Sequence, residues 1–203
     1  MKYPISVKDG KLSERFLEVL KLHVPPSKDK VILDPTCGKR YLWQGIPYEK
    51  LYGKVIFFDI RDYGQGMIQD LFTYKPKIKF DAIIYDPPYL FGYKGSKDPR
   101  RKDYGDYCQS YNDLLKFMTF ANSEFPKWLK EDGKLIVKCS DQFHVKERKF
   151  YPLHITWVNT LSNFELIDIM IYQHHRISPT AFQVKNRPCS VIMHTYFLIF
   201  KLR

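Results

Sequence analysis

Three apolar runs in the first half of the chain are each followed by an aspartate at a turn. Lys30-Val31-Ile32-Leu33 leads into Asp34, Gly53-Lys54-Val55-Ile56-Phe57-Phe58 into Asp59, and Phe80-Asp81-Ala82-Ile83-Ile84-Tyr85 into Asp86. Short apolar runs bounded by turn residues read as buried strands. Strands that are apolar almost throughout belong to parallel sheets covered on both faces. The three acids then fall on the C-terminal edge of one sheet, where open α/β sheets bind ligands. This pattern predicts an α/β fold before any other feature is considered.

The third turn reads Asp86-Pro87-Pro88-Tyr89 and is the most specific segment of the chain. An exocyclic amine on a heteroaromatic base has its lone pair delocalised into the ring. It becomes nucleophilic when acceptors hold its N–H bonds and favour a tetrahedral nitrogen. Asp86 supplies one acceptor. The carbonyl of Pro87 supplies a second, because proline has no N–H and a fixed φ that holds the carbonyl still. Pro88 stiffens the turn, and Tyr89 offers a flat ring to replace the stacking partner of a base taken out of its strand.

The first turn, Asp34-Pro35-Thr36-Cys37-Gly38, has the form of a cofactor loop, with Asp34, Thr36 and Gly38 as candidate contacts. Asp59 follows it by about 20 residues, the spacing at which a nucleotide-binding βαβ unit sets a carboxylate on ribose hydroxyls. Asp70-Leu71-Phe72 is placed to cover the adenine ring of a nucleoside cofactor, with Asp70 as a further contact.

With these residues the chain resembles the S-adenosylmethionine-dependent amino methyltransferases, in particular the N6-adenine and N4-cytosine DNA methyltransferases. The resemblance runs from the first-strand motif near Val31 through Asp59, Asp70 and Asp86-Pro87-Pro88-Tyr89 to a closing strand at His194–Lys201. It implies a Rossmann-like seven-strand methyltransferase sheet, mostly parallel with an antiparallel closing strand, and S-adenosyl-L-methionine as cofactor. The family usually has a glycine two residues beyond Gly38, where this chain has Arg40. Trp43 is expected to pack in the core beneath the turn.

The remaining chain is read in the same frame. Ser110 opens a helix that continues through Met118. Glu131-Asp132-Gly133 is expected to turn the chain into a strand at Lys134–Lys138, and Phe164–Tyr172 with Thr195–Leu202 to form the antiparallel closing pair the resemblance implies. With 203 residues, no internal repeat and no Gly/Ser linker, a single domain over residues 1–203 is expected. No stretch of ~20 apolar residues suggests a membrane span, and Met1-Lys2-Tyr3-Pro4 lacks a signal-peptide core, so a cytoplasmic location is expected. Cys37, Cys108, Cys139 and Cys189 lack paired spacing and read as reduced thiols. No metal site is expected: adjacent His174 and His175 point in different directions in any regular element and have no Cys or carboxylate at ligand spacing.

The formal net charge of +11 favours a polyanionic partner through counterion release. Charge and aromatic rings concentrate in two segments. Leu90–Lys102 follows the Asp-Pro-Pro-Tyr turn and reads as a mobile loop over the base pocket, with Lys94, Arg100, Arg101 and Lys102 as phosphate contacts. His174–Pro188 reads as a hairpin loop with Arg176, Lys185 and Arg187 in the same role. Lys146-Glu147-Arg148-Lys149 reads as a solvated stretch. The expected activity is methyl transfer to an exocyclic amine of a nucleic-acid base, adenine N6 in DNA being favoured. RNA-base methylation, at guanine N2 or adenine N6, and a catalytically inactive nucleic-acid-binding subunit are the alternatives. A homodimer or a separate specificity partner fits a chain with no target-recognition domain.

Overall fold

The computed structural model describes residues 5–91, 108–144, 147–174 and 189–203. Its elements in chain order are β1 (Val7–Lys8), α1 (Leu12–His23), β2 (Ser27–Asp34), a 3₁₀ turn (Tyr41–Trp43), α2 (Tyr48–Leu51), β3 (Tyr52–Asp59), β4 (Met67–Ile68) and β5 (Phe80–Tyr85). They continue with α3 (Tyr111–Trp128), β6 (Leu129–Cys139), β7 (Gln142–His144), β8 (Lys149–Tyr151), α4 (Leu153–Thr160), β9 (Phe164–Gln173) and β10 (His194–Leu202).

The main sheet has the order β1-β9-β10-β6-β5-β2-β3-β4, and β7 and β8 form a separate antiparallel pair. β10 runs antiparallel to both neighbours, while the other pairings of the main sheet are parallel. This is the mostly parallel α/β sheet expected, with β9 and β10 as the antiparallel closing pair. The strand count differs: the main sheet has eight strands rather than seven. The short strand Val7–Lys8 pairs with Ile171 and Tyr172 of β9. Two exposed residues show no periodicity, and the strand is held instead from α1. Buried Arg15 donates to the carbonyls of Ser6, at 2.9 Å, and Ile5, and pairs with Glu18 at 2.6 Å.

Alternation along the central strands sends side chains to two cores, as the pleat requires. Leu33, Ile83, Tyr85, Leu135 and Val137 pack with Phe117, Met118, Phe125 and Trp157 from α3 and α4. Their neighbours Ile32, Ala82, Ile84 and Ile136 pack with Phe16, Val19 and Leu20 of α1 and with Trp43. Trp43 is thus in the core.

α3 starts where expected. The Ser110 hydroxyl accepts the Asp113 N–H at 3.2 Å and the Asp113 carboxylate accepts the Ser110 N–H at 3.1 Å, a reciprocal capping box. The turn expected at Glu131-Asp132-Gly133 is a correction. β6 already begins at Leu129, which pairs with Phe80, and the next pairing is Ala82 with Lys134. The acid-glycine segment therefore bulges within one long strand, because the helix delivers the chain straight to its partner. Among the described residues no helix is long and apolar enough to cross a membrane.

Candidate active site

β2, β3 and β5 end side by side, and a cavity of about 260 Å³ opens at that edge. Asp34, Thr36, Gly38, Asp59, Asp70 and Asp86 all line it, so the structure brings these sequence-predicted residues together. Tyr41, Ile60 and Phe72 give it apolar walls that remain substantially exposed.

Asp34 is 1% exposed, and its carboxylate accepts the Trp43 indole N–H at 2.7 Å and the Thr36 amide at 3.2 Å. Burial pushes its carboxyl up to about 7, against these two hydrogen bonds, which favour the charged form. Gly38 has φ of 48°, a left-handed backbone, and the space where a Cβ would stand is open for 4 Å. Its N–H donates to Asp59 Oδ2 at 3.0 Å, while Asp59 Oδ1 accepts the Arg61 N–H at 3.1 Å. Asp59 therefore clamps the first turn to the end of β3.

Arg40 takes a left-handed backbone, φ 54° and ψ 33°, at the position where the family pattern has glycine. Its side chain turns away from the cavity walls. The guanidinium lies 3.9 Å from the Phe57 ring centroid and donates to the Tyr48 hydroxyl at 3.1 Å. Holding a non-glycine residue there costs about 1–2 kcal/mol, which the packing on Phe57 and Tyr48 offsets.

Asp70 caps its own turn, accepting the Phe72 N–H at 2.9 Å. Leu71 is buried, and Phe72 lies against Phe117 and Phe120 with ring centroids 5.2 and 4.9 Å apart.

At the end of β5 the Asp86 amide donates to Thr36 Oγ1 at 2.9 Å, joining the third turn to the first. The Asp86 side chain is 23% exposed, and both its oxygens accept from Lys138 Nζ at 2.9 Å. Burial raises the Asp86 carboxyl and the Lys138 charge opposes that rise. Pro88 lines the cavity, whereas Pro87 is buried beside it and Tyr89 packs against the α3-side core. The Tyr89 ring carries the Lys138 cation 5.0 Å from its centroid, and its hydroxyl stands 3.4 Å from Nζ.

Lys138 is a cavity-lining side chain that the sequence reading did not single out. It closes the apolar run Leu135-Ile136-Val137 on the ligand-binding edge, lines the cavity and is buried. A cation at the C-terminal end of a central strand was the available signal. Phe91 is a correction to the loop expected from Leu90 onward. It is buried, stacks on His144 at 5.5 Å, and bonds the Gln142 side chain through both its N–H and its carbonyl. His174 bonds Thr195 Oγ1 at 2.9 Å and is thereby satisfied within the fold. Glu147 accepts the Tyr151 hydroxyl, and Lys149 begins β8. Lys94, Arg100, Arg101, Lys102, Arg176, Lys185 and Arg187, with most of both expected loops, lie outside the described residues.

No family model matches the chain, and no curated protein matches it in sequence. Solved structures do match. The N-methyltransferase NodS from Bradyrhizobium japonicum superposes with a TM-score of 0.56 at 12% identity, covering 93% of this chain and 94% of that one. NodS in complex with S-adenosyl-L-homocysteine gives 0.58 at 12% identity, over 93% and 86%. An S-adenosylmethionine-dependent methyltransferase from Clostridium acetobutylicum gives 0.51 at 15% identity, over 94% and 90%. At these identities the likeness defines the fold, which is the Rossmann-like fold of S-adenosylmethionine-dependent methyltransferases.

Proposed function

We propose that the protein transfers a methyl group from S-adenosyl-L-methionine to an exocyclic amino group of a nucleic-acid base, with adenine N6 in DNA as the leading substrate and an RNA base as the alternative. One observation carries the reading: the Asp86-Pro87-Pro88-Tyr89 turn stands at the end of β5, with Asp86 on the same cavity as the predicted cofactor residues.

The cavity suits the cofactor. Acceptors at Asp59 and Asp70 match ribose and base N–H or O–H groups, the open side of Gly38 admits a close approach, and the exposed faces of Ile60 and Phe72 match an adenine ring. When bound, S-adenosylmethionine supplies an electrophilic methyl on a sulfonium. Asp86 would hold the target amine by one N–H and direct its lone pair at the methyl the cofactor would supply, and the proton the amine must lose on methylation would pass to the Asp86 carboxylate or to water. Positioning is the main contribution the chain can make to such a displacement. The net charge of +11 is compatible with a polyanionic substrate.

The test is incubation with methyl-labelled cofactor and separate DNA and RNA pools, followed by mass spectrometry of the released nucleosides. N6-methyladenine or N4-methylcytosine from DNA is expected. Label confined to RNA would move the substrate to the alternative, and label in neither would remove the nucleic-acid reading.

A further inference from the structure

We infer that Lys138 is a substrate-binding residue which, beside Asp86, reads an amino group together with an unprotonated ring nitrogen next to it. The inference rests on the base-methylation reading above and adds to it the chemical class of the acceptor.

Lys138 and Asp86 present a donor and an acceptor 2.9 Å apart on one cavity wall. That is the complement of an aromatic edge with an N–H donor beside a bare nitrogen: N6 and N1 of adenine, or N4 and N3 of cytosine. Neither group must abandon the other to engage such an edge. An ionised carboxylate offers about four lone-pair sites and an ammonium three rotatable N–H groups. The Lys138 contact to the Tyr89 hydroxyl, at 3.4 Å, is longer than an ordinary N–H···O bond and can be exchanged for a ring nitrogen.

The same pair argues against a different acceptor class open to this fold. A primary alkylamine is protonated near neutral pH and would bring a second cation against the Lys138 ammonium, which already neutralises Asp86. Like charges at this range repel. A heteroaromatic amine is neutral and meets no such penalty. Burial strengthens the point, since Lys138 is 7% exposed and water screens it poorly.

The experiment compares methyl-transfer rates on single-stranded random oligonucleotide pools made with adenine or with 1-deazaadenine, where a C–H replaces N1. If cytosine proves the acceptor, 3-deazacytosine is the corresponding probe. The parent protein is expected to favour the natural base by about tenfold or more. Lys138→Met should bring the ratio close to the intrinsic reactivity ratio of the two bases, and Lys138→Arg should restore part of the preference. Comparing ratios cancels both that reactivity difference and any general loss of activity. Should Lys138→Met not fold, Lys138→Gln takes its place in the same comparison of ratios. Equal use of both pools by the parent, an unchanged ratio in Lys138→Met, or methylation of spermidine would overturn the inference. Labelled adenine or cytosine with no Lys138 dependence defeats this inference while leaving base methylation standing, whereas no labelled base in any pool defeats both.

Discussion

The Asp86 amide donates to the Thr36 hydroxyl at 2.9 Å, so the turn that ends β5 is fastened to the turn that ends β2 across 50 residues of sequence. Thr36 in turn donates its own amide to Asp34. Two turns that share a hydrogen bond cannot move independently. Thr36→Val keeps the shape and removes the acceptor, leaving the Asp86 N–H unmatched in a partly buried place. It should lower unfolding stability by about 1–2 kcal/mol and reduce turnover, while Thr36→Ser stays near the parent. Denaturant unfolding and rate measurements check this, and a Thr36→Val protein with parent stability and activity would contradict the coupling.

Asp34 gives the fold a pH signature. Its carboxyl is raised by burial from 3.8 to about 7. An acid whose folded pKa exceeds its unfolded value keeps its proton longer in the native state. Its contribution therefore favours folding at low pH and is lost as pH rises from about 4 through about 7. Asp34→Asn stays neutral and can still accept the Trp43 N–H. Relative to that variant, the parent should lose up to roughly 4 kcal/mol of stability across the window. Unfolding free energies measured through the window for both proteins provide the check, and parallel curves would show that Asp34 does not titrate there.

What could be read from the chain divides along the range of the interactions. The strands at Val31, Val55 and Ile83 were legible because apolar runs and turn residues are local signals, and the capping box at Ser110 and Asp113 is local too. Val7–Lys8 was not, because two residues carry no period and its anchor is the buried Arg15 on the next helix. Asp-Gly at 132 and 133 carries a turn signature that tertiary pairing of Leu129 with Phe80 overrides. The site was legible as a set of acids at strand ends, but their partners were not. The clamp of Asp59 on Gly38 and the pairing of Lys138 with Asp86 join segments distant in sequence, and each changes what the acid can do.

Asp59 has two roles that mutation can separate. It holds the amides of Gly38 and Arg61, and it lines the proposed ribose region. Asp59→Ala removes a charge-assisted acceptor from a ligand hydroxyl and loosens the turn, so affinity for S-adenosylhomocysteine should fall by about 1.5–3 kcal/mol. Asp59→Asn retains one acceptor for Gly38 and should fall between. Titration calorimetry decides the matter, and unchanged affinity in Asp59→Ala would take Asp59 out of the cofactor site.

Asp86 is the residue on which the proposed chemistry depends. In Asp86→Asn one oxygen remains to meet Lys138 and the Thr36 link to the backbone is untouched, so the cofactor side of the cavity should stay intact. The amide has lost the carboxylate charge that draws the target N–H, and turnover should drop by about a hundredfold or more. Cofactor affinity should remain within about twofold of the parent, a difference well under 1 kcal/mol. The two measurements must diverge for the assignment to hold. If rate and cofactor affinity fall together, Asp86 is supporting the cavity rather than holding the amine. If neither changes, the acceptor for the target N–H lies elsewhere than on Asp86.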